Sequence, residues 1–226
     1  MCGRFTLTNP DPTVIAKTFN LDSVPVDVPG RYNVAPTQAV ATVLNDADNL
    51  RHFAWMAWGL VPSWSKDAKG AGKLINARAE TVAEKPSYRA ALSKRRCLLI
   101  ADGFYEWRLN ADKTKTPMYI RLESGQPFGF AGLWERWTNP DSGEILTSCA
   151  LITTTANDVV KPIHDRMPVI LPPDAYADWL NYKQTDGQQV TRLLTPYPAD
   201  LMIAYPVSTL VNSPRTDDPA MIQPAE

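Results

Sequence analysis

Between residues 97 and 154 the chain reads as a succession of strands joined by tight turns. The strand-like segments lie at 97–101, 104–109, 117–122, 128–134 and 145–154. Turn residues separate them at Asn110-Ala111-Asp112, Glu123-Ser124-Gly125 and Asn139-Pro140-Asp141-Ser142-Gly143. Parallel neighbours need long crossovers, so these short connections imply antiparallel pairing. An earlier hairpin is expected from 39–44 and 50–58 around Asn45-Asp46-Ala47-Asp48. In its second strand Phe53 and Trp55 share one face and His52 takes the other.

Helices are fewer. Asp11-Pro12 supplies an N-cap and a first-turn proline for a short helix with Val14, Ile15 and Phe19 on its apolar face. Further helices are expected over 76–84, 87–94, 173–181 and 187–194, and a last strand over 201–206. The 29–37 segment reads as a loop, and the 58–74 stretch as a long irregular one. Loops of that length inside a domain are usually functional or disordered. The expectation is one α+β domain over 1–226. A curved, mostly antiparallel, barrel-like β core with peripheral helices fills 1–212, and a Pro-rich coil follows over 213–226.

Composition narrows the function classes. The 226 residues carry a net charge of −1, with an isoelectric point of about 6.1. A generic duplex-DNA binder is basic, so any nucleic-acid role must rest on a local patch or a chemical handle. The chain has no Cys-x-x-Cys pair, no P-loop and only two histidines, His52 and His164, so no metal or cofactor is expected. Cys97 and Cys149 lie in apolar strand-like runs and read as buried thiols. With Cys2 they make no disulfide framework, which points to a reducing compartment. No signal peptide and no membrane span is found, and the expected location is the cytoplasm.

The chain opens Met1-Cys2-Gly3-Arg4. Once Met1 is removed, Cys2 carries an α-amine and a thiol on adjacent carbons. The amine can condense with an aldehyde, and the thiol can then close a five-membered thiazolidine. The two groups titrate near ~7.7–8.0 and ~8.5, so both have nucleophilic fractions at neutral pH. Read alone, Cys2 is by default an incidental residue on a frayed end.

Three internal segments also place polar groups beside apolar or rigid ones. Asn76 follows Leu74-Ile75 and reads either as a helix cap or as a group that orients a nucleophile. Arg78 is a phosphate contact or half of a surface ion pair, and Glu80, two residues on, falls on another side of the expected helix. Glu106 sits between Tyr105 and Trp107. It is either a general acid or base with a raised pKa or the solvent face of an alternating strand. His164 lies in the Pro-bounded loop Pro162-Ile163-His164-Asp165-Arg166-Met167-Pro168 and outranks His52 as a catalytic candidate. Trp58 and Trp64 flank Pro62 as possible stacking aromatics, with core packing the alternative. Lys85, Arg89, Lys94, Arg95 and Arg96 form a weak basic stretch.

Seven segments in order make the chain resemble the SRAP family (SOS response-associated peptidases). They are 1–5 Met-Cys-Gly-Arg-Phe, 30–37 Gly-Arg-Tyr-Asn-Val-Ala-Pro-Thr, 58–64 Trp-Gly-Leu-Val-Pro-Ser-Trp and 75–81 Ile-Asn-Ala-Arg-Ala-Glu-Thr. The others are 101–107 Ala-Asp-Gly-Phe-Tyr-Glu-Trp, 163–171 Ile-His-Asp-Arg-Met-Pro-Val-Ile-Leu and 207–212 Val-Ser-Thr-Leu-Val-Asn. The resemblance implies a sensor of abasic sites in single-stranded DNA and at single–double strand junctions. It implies covalent capture of the opened sugar's aldehyde by Cys2, shielding the lesion. It also implies self-removal of Met1 and possible lyase activity. Asn76 would position Cys2, Glu106 would assist proton transfers, and His164 would help open the sugar ring. Arg4, Asn33, Arg78, Thr153 and Arg166 would contact DNA, and Trp64 matches a wedge-like aromatic. Ser65 departs from the family, whose bacterial members carry a second tryptophan there. A monomer is expected, nucleoid-associated when on DNA. Two other readings compete: a thiol peptidase using Cys2 with His164 and Glu106, and a non-covalent reader of modified DNA.

Overall fold

The computed structural model describes residues 2–70 and 73–225. In chain order the strands are β1 (Phe5–Leu7), β2 (Arg31–Val34), β3 (Ala39–Asn45), β4 (Arg51–Trp58), β5 (Asn76–Arg78), β6 (Arg96–Ala101) and β7 (Gly103–Leu109). They continue with β8 (Lys115–Leu122), β9 (Phe128–Thr138), β10 (Ile145–Thr155), β11 (Arg166–Pro168), β12 (Ile170–Leu171) and β13 (Met202–Pro206).

Five of them close into a ring in which β3, β6, β9, β10 and β4 pair in turn and β4 returns to β3. Every contact in the ring is antiparallel except β10 with β4, where Ser148 faces Ala57. The expected barrel-like, mostly antiparallel core is therefore present, and closure leaves those strands no free edge. Beyond the ring β10 projects further. It carries β5 in parallel on one side and β11 antiparallel on the other. The second sheet runs β13-β8-β7-β1-β2, antiparallel throughout.

Alternation along β6 separates two cores. Leu98 and Ile100 join Ile15, Phe19, Tyr176 and Trp179 from the helices. Cys97, Leu99 and Ala101 join Cys2, Phe5, Trp58 and Phe104. The second core is tight: a Cβ on Gly132 would collide with the Leu99 side chain and crowd the Cys97 sulfur. Cys97 and Cys149 are buried there, as expected.

Helix α1 (Pro12–Phe19) starts where Asp11 accepts hydrogen bonds from the Thr13 and Val14 amides. It ends at Asn20 in the left-handed region. The others, α2 (Arg89–Lys94), α3 (Tyr176–Leu180) and α4 (Gly187–Thr191), are shorter than expected. None of the described helices is long and apolar enough to cross a membrane.

Three expectations are corrected. The 76–84 helix does not form: Asn76–Arg78 is strand β5 and turns follow, because β10 offers a pairing edge that outweighs local propensity. Asn76 therefore caps no helix, and Arg78 and Glu80 are not two positions of one. The 29–37 loop contains β2, and 213–225 is no loose coil. Met221 is fully buried, Val207 bridges Pro224, and Asp217 pairs with the Arg31 side chain and the Tyr32 amide. The basic stretch is not a patch. Arg95 pairs with Glu135, and the buried Arg96 guanidinium donates to the carbonyls of Trp179, Leu92, Ser93, Asn181 and Gln184.

Candidate active site at the amino terminus

Cys2 is fully buried against the second core, three residues ahead of β1, a strand with a polar anchor. That anchor is the Asp102 carboxylate. It accepts the Thr6 hydroxyl at 2.6 Å, the Thr8 amide at 2.5 Å and hydroxyl at 2.7 Å, and the Asn9 amide at 3.3 Å. Nearer the site, the Tyr105 amide donates to the Arg4 carbonyl at 3.0 Å. The Cys2 thiol also points to that carbonyl, at 3.6 Å. The amino-terminal segment is thus set against β7, the strand that carries Glu106.

Asn76 reaches Cys2 from β5. Its amide nitrogen donates to the Cys2 carbonyl at 2.8 Å. Its Oδ1 is buried and accepts no hydrogen bond among the described residues. The Tyr88 hydroxyl donates to the Asn76 backbone carbonyl at 3.0 Å and so braces β5 from the side opposite β10.

Glu106 is 3% exposed. Burial, and after it the charge of Asp165, raises its pKa to about 7. The solvent-face alternative for Glu106 is therefore excluded, even though it sits in an alternating strand. The Cys2 thiol is pushed far up, first by burial and then by the Glu106 charge, which places the two groups within electrostatic reach.

His164 follows a turn in which its amide donates to the Val160 carbonyl at 2.9 Å. Its Nδ1 accepts the Arg166 amide at 3.0 Å and also lies 2.8 Å from Asp165 Oδ1. These neighbours favour opposite protonation states: the amide needs a lone pair, the carboxylate an N–H. Burial lowers the His164 pKa and Lys115 adds to that, while Asp165 opposes it. The Asp165 side chain is 85% exposed and so holds little of the imidazole's charge. The neutral ring with Nδ1 as acceptor prevails, which puts its proton on Nε2.

The arginines differ in availability. Arg78 is exposed on β5. Arg166 is forked onto Glu80 at 2.5 and 2.9 Å and donates to the Thr153 carbonyl at 2.7 Å. Arg4 donates to Asn33 Oδ1 at 3.0 Å and the Val211 carbonyl at 2.9 Å. Asn33 and Thr153 are buried. The Asn33 nitrogen is spent on the Ser213 and Thr216 carbonyls and the Thr153 hydroxyl on the Ala77 carbonyl, so neither faces a ligand in this state. Trp64 is 66% exposed, whereas Trp58 is core, packed 5.0 Å from the Phe5 ring. His52 pairs with Asp46 at the hairpin turn, away from the site. Among the described residues no cluster could hold a metal ion.

Sequence reading missed Tyr88, Lys115 and the carbonyls of 211–216. No short-range pattern marks them, because each acts across more than ten residues of chain or from an irregular segment.

The fold and site define an α+β barrel protein whose candidate reactive residue is its second amino acid, set beside the Asn76 amide and within electrostatic reach of the Glu106 carboxyl. The family model for SOS response associated peptidase (SRAP) matches residues 1–214, and the chain belongs to that family. It is 48% identical over 225 residues to the Bacillus subtilis (strain 168) protein named abasic site processing protein YoqW, with 99% of each chain covered. It is 36% identical over 216 residues to abasic site processing protein HMCES of Xenopus tropicalis, covering 83% of this chain and 64% of that one. A solved Bacteroides thetaiotaomicron protein matches with a TM-score of 0.87 at 28% identity, covering all of both chains.

Proposed function

We propose that this chain processes abasic sites in single-stranded DNA, including those at strand junctions, by covalent capture through Cys2 after loss of Met1. Met1 itself lies outside the described residues. The observation that carries the reading is the Cys2–Asn76–Glu106 arrangement: a buried thiol, its carbonyl held by an amide, beside a carboxyl that titrates near neutrality. The names of the relatives support the substrate.

The chemistry balances without a cofactor. The Cys2 amine adds to the C1 aldehyde of the ring-opened sugar, and loss of one water gives the imine. The thiol then adds to the imine carbon, forming the C–S bond, while its proton passes to the nitrogen. Burial keeps the thiol protonated, so ring closure needs a base at hand. Glu106, with a pKa of about 7, can take that proton and return it. Neutral His164 offers a proton to the sugar ring oxygen as the aldehyde opens. The free Asn76 Oδ1 can accept from the Cys2 amine once it exists. Arg4 and Arg78 supply charge for flanking phosphates, and Arg166 does so if Glu80 releases it.

The same groups suit self-removal of Met1, since the peptide bond to Cys2 is next to the thiol.

The test is incubation with an oligonucleotide bearing one abasic site, followed by denaturing electrophoresis. Wild type should give a shifted covalent band and Cys2→Ala none. Equal adduct from both proteins rejects the reading. Turnover of unrelated peptides without adduct would favour the peptidase, and DNA retention without adduct the non-covalent reader.

A further inference from the structure

Asn76 carries the hydrogen bond to the Cys2 carbonyl, yet it stands on a strand of three residues that pairs with β10 alone among the described strands. The Leu151 amide donates to the Ile75 carbonyl at 3.0 Å, and the Ala79 amide donates to the Thr153 carbonyl at 2.8 Å. Backbone polar groups alternate sides along a strand, so β10 takes those of Ile75, Ala77 and Ala79. The carbonyl of Asn76 points the other way, toward the edge that no described strand covers. Two side chains steady this start of β5. The Trp58 indole N–H donates to the Ile75 carbonyl at 3.0 Å, and the Tyr88 hydroxyl donates to the Asn76 carbonyl at 3.0 Å.

Tyr88 is itself held firmly. Its side chain is part of the first core and its backbone is fixed from both directions. The Tyr88 amide donates to the Lys85 carbonyl at 2.9 Å, and the Tyr88 carbonyl accepts the Leu92 amide at 2.8 Å. Burial pushes the pKa of its hydroxyl up to about 12, so the group stays protonated and remains a donor at neutral pH. Two hydrogen bonds thus run in series from Tyr88 through Asn76 to Cys2. The first holds the Asn76 backbone, and the second is made by its side chain. A carbonyl left unmatched on that edge would turn toward water, and the Asn76 side chain would turn with it.

We infer that Tyr88 is a positioning residue, whose hydroxyl sets the Asn76 backbone so that the Asn76 amide holds Cys2 in its reacting pose; the inference rests on the capture reading above. Tyr88→Phe tests it, because the ring stays and only the hydroxyl goes. On an oligonucleotide with one abasic site, its cross-linking rate at saturating DNA should fall about tenfold, as small misplacements at a reacting centre do. The DNA concentration for half-maximal rate should stay within about twofold of wild type. In an Asn76→Ala background, Tyr88→Phe should cost nothing further, because the hydroxyl acts through Asn76. Solvent exchange of the Asn76 side-chain amide, read by NMR on the protein without DNA, should quicken about tenfold. Ser93→Ala removes a 2.9 Å bond to the Thr185 carbonyl from the same short helix and should change neither readout. Unchanged amide exchange, an unchanged rate, or a further loss in the Asn76→Ala background overturns the inference. So does a half-maximal DNA concentration that rises in proportion to the loss of rate, or an equal effect of Ser93→Ala. The exchange arm needs no adduct. Faster exchange in Tyr88→Phe with no cross-linking by wild type would reject covalent capture and leave the positioning of Asn76 standing. Cross-linking by wild type with unchanged exchange in Tyr88→Phe would reject the positioning role alone.

Discussion

The Asn76 side-chain nitrogen donates a 2.8 Å hydrogen bond to the carbonyl oxygen of Cys2, joining a strand flank of the barrel to the first residues of the chain. No other described side chain bonds to that carbonyl. The amide thus fixes the rotation of the Cys2 backbone, and with it the direction of the thiol.

Removing it should therefore harm geometry more than affinity. Asn76→Ala is expected to slow cross-linking by about a hundredfold, as small misplacements at a reacting centre do. Its affinity for an undamaged single strand should change by no more than about twofold. Single-turnover gels and fluorescence anisotropy read the two quantities, and a parallel fall in both would assign Asn76 to DNA binding instead.

Glu106 sets the pH response. A base with a pKa of about 7 is mostly protonated at pH 6 and ionised at pH 8, so the cross-linking rate should climb through neutrality. Glu106→Gln should remove that inflection and leave only the rise due to the amine near ~8. Stability should move the other way. The folded pKa lies above the unfolded one, so the native state holds an extra proton between about pH 4.5 and 7 and loses stability across that window as pH rises. Glu106→Gln should then raise Tm at pH 8, by roughly 1–3 kcal/mol of stability, and by little at pH 5. A variant destabilised equally at both pH values would show that the carboxyl is held by contacts rather than strained by burial.

Glu80 occupies the fork of Arg166 that a phosphate would need, and its pKa is lowered first by Arg166 and also by Arg78. Glu80→Gln should bind undamaged single strands roughly two- to fivefold more tightly at low salt, the worth of a half-exposed ion pair. The gain should fade as salt rises. Weaker binding would mean that Glu80 holds Arg166 in its docking pose.

Asn33 serves the fold in this state, although the family pattern points to DNA. Its amide ties β2 to the Ser213 and Thr216 carbonyls and holds Arg4. Asn33→Ala should cost about 1–3 kcal/mol in urea unfolding, the toll of leaving buried polar groups unmatched. Unchanged stability with lost DNA affinity would restore the direct contact.

The strand run from β6 to β10 was legible because its order comes from alternation and tight turns, both local. Residues 76–84 misled because Asn-Ala-Arg-Ala-Glu-Thr-Val-Ala-Glu is a good helix former, and β5 exists only through an edge supplied at Leu151–Thr153. The three-residue β1 is equally non-local: it needs β2 and β7 on either side. Glu106 could be read two ways until its burial was known. Arg96 looked like surface charge, yet five backbone carbonyls brought together by folding enclose it. Charge alone does not say which arginine meets solvent.

The contact between Arg4 and the Val211 carbonyl, with Asn33 reaching Ser213 and Thr216 beside it, joins segments that lie 207, 180 and 183 positions apart in sequence. Closing loops of that length costs chain entropy, so the wall beside the amino-terminal segment forms only together with the rest of the fold. A chain cut ahead of Val211 should leave Arg4 and Asn33 without these acceptors.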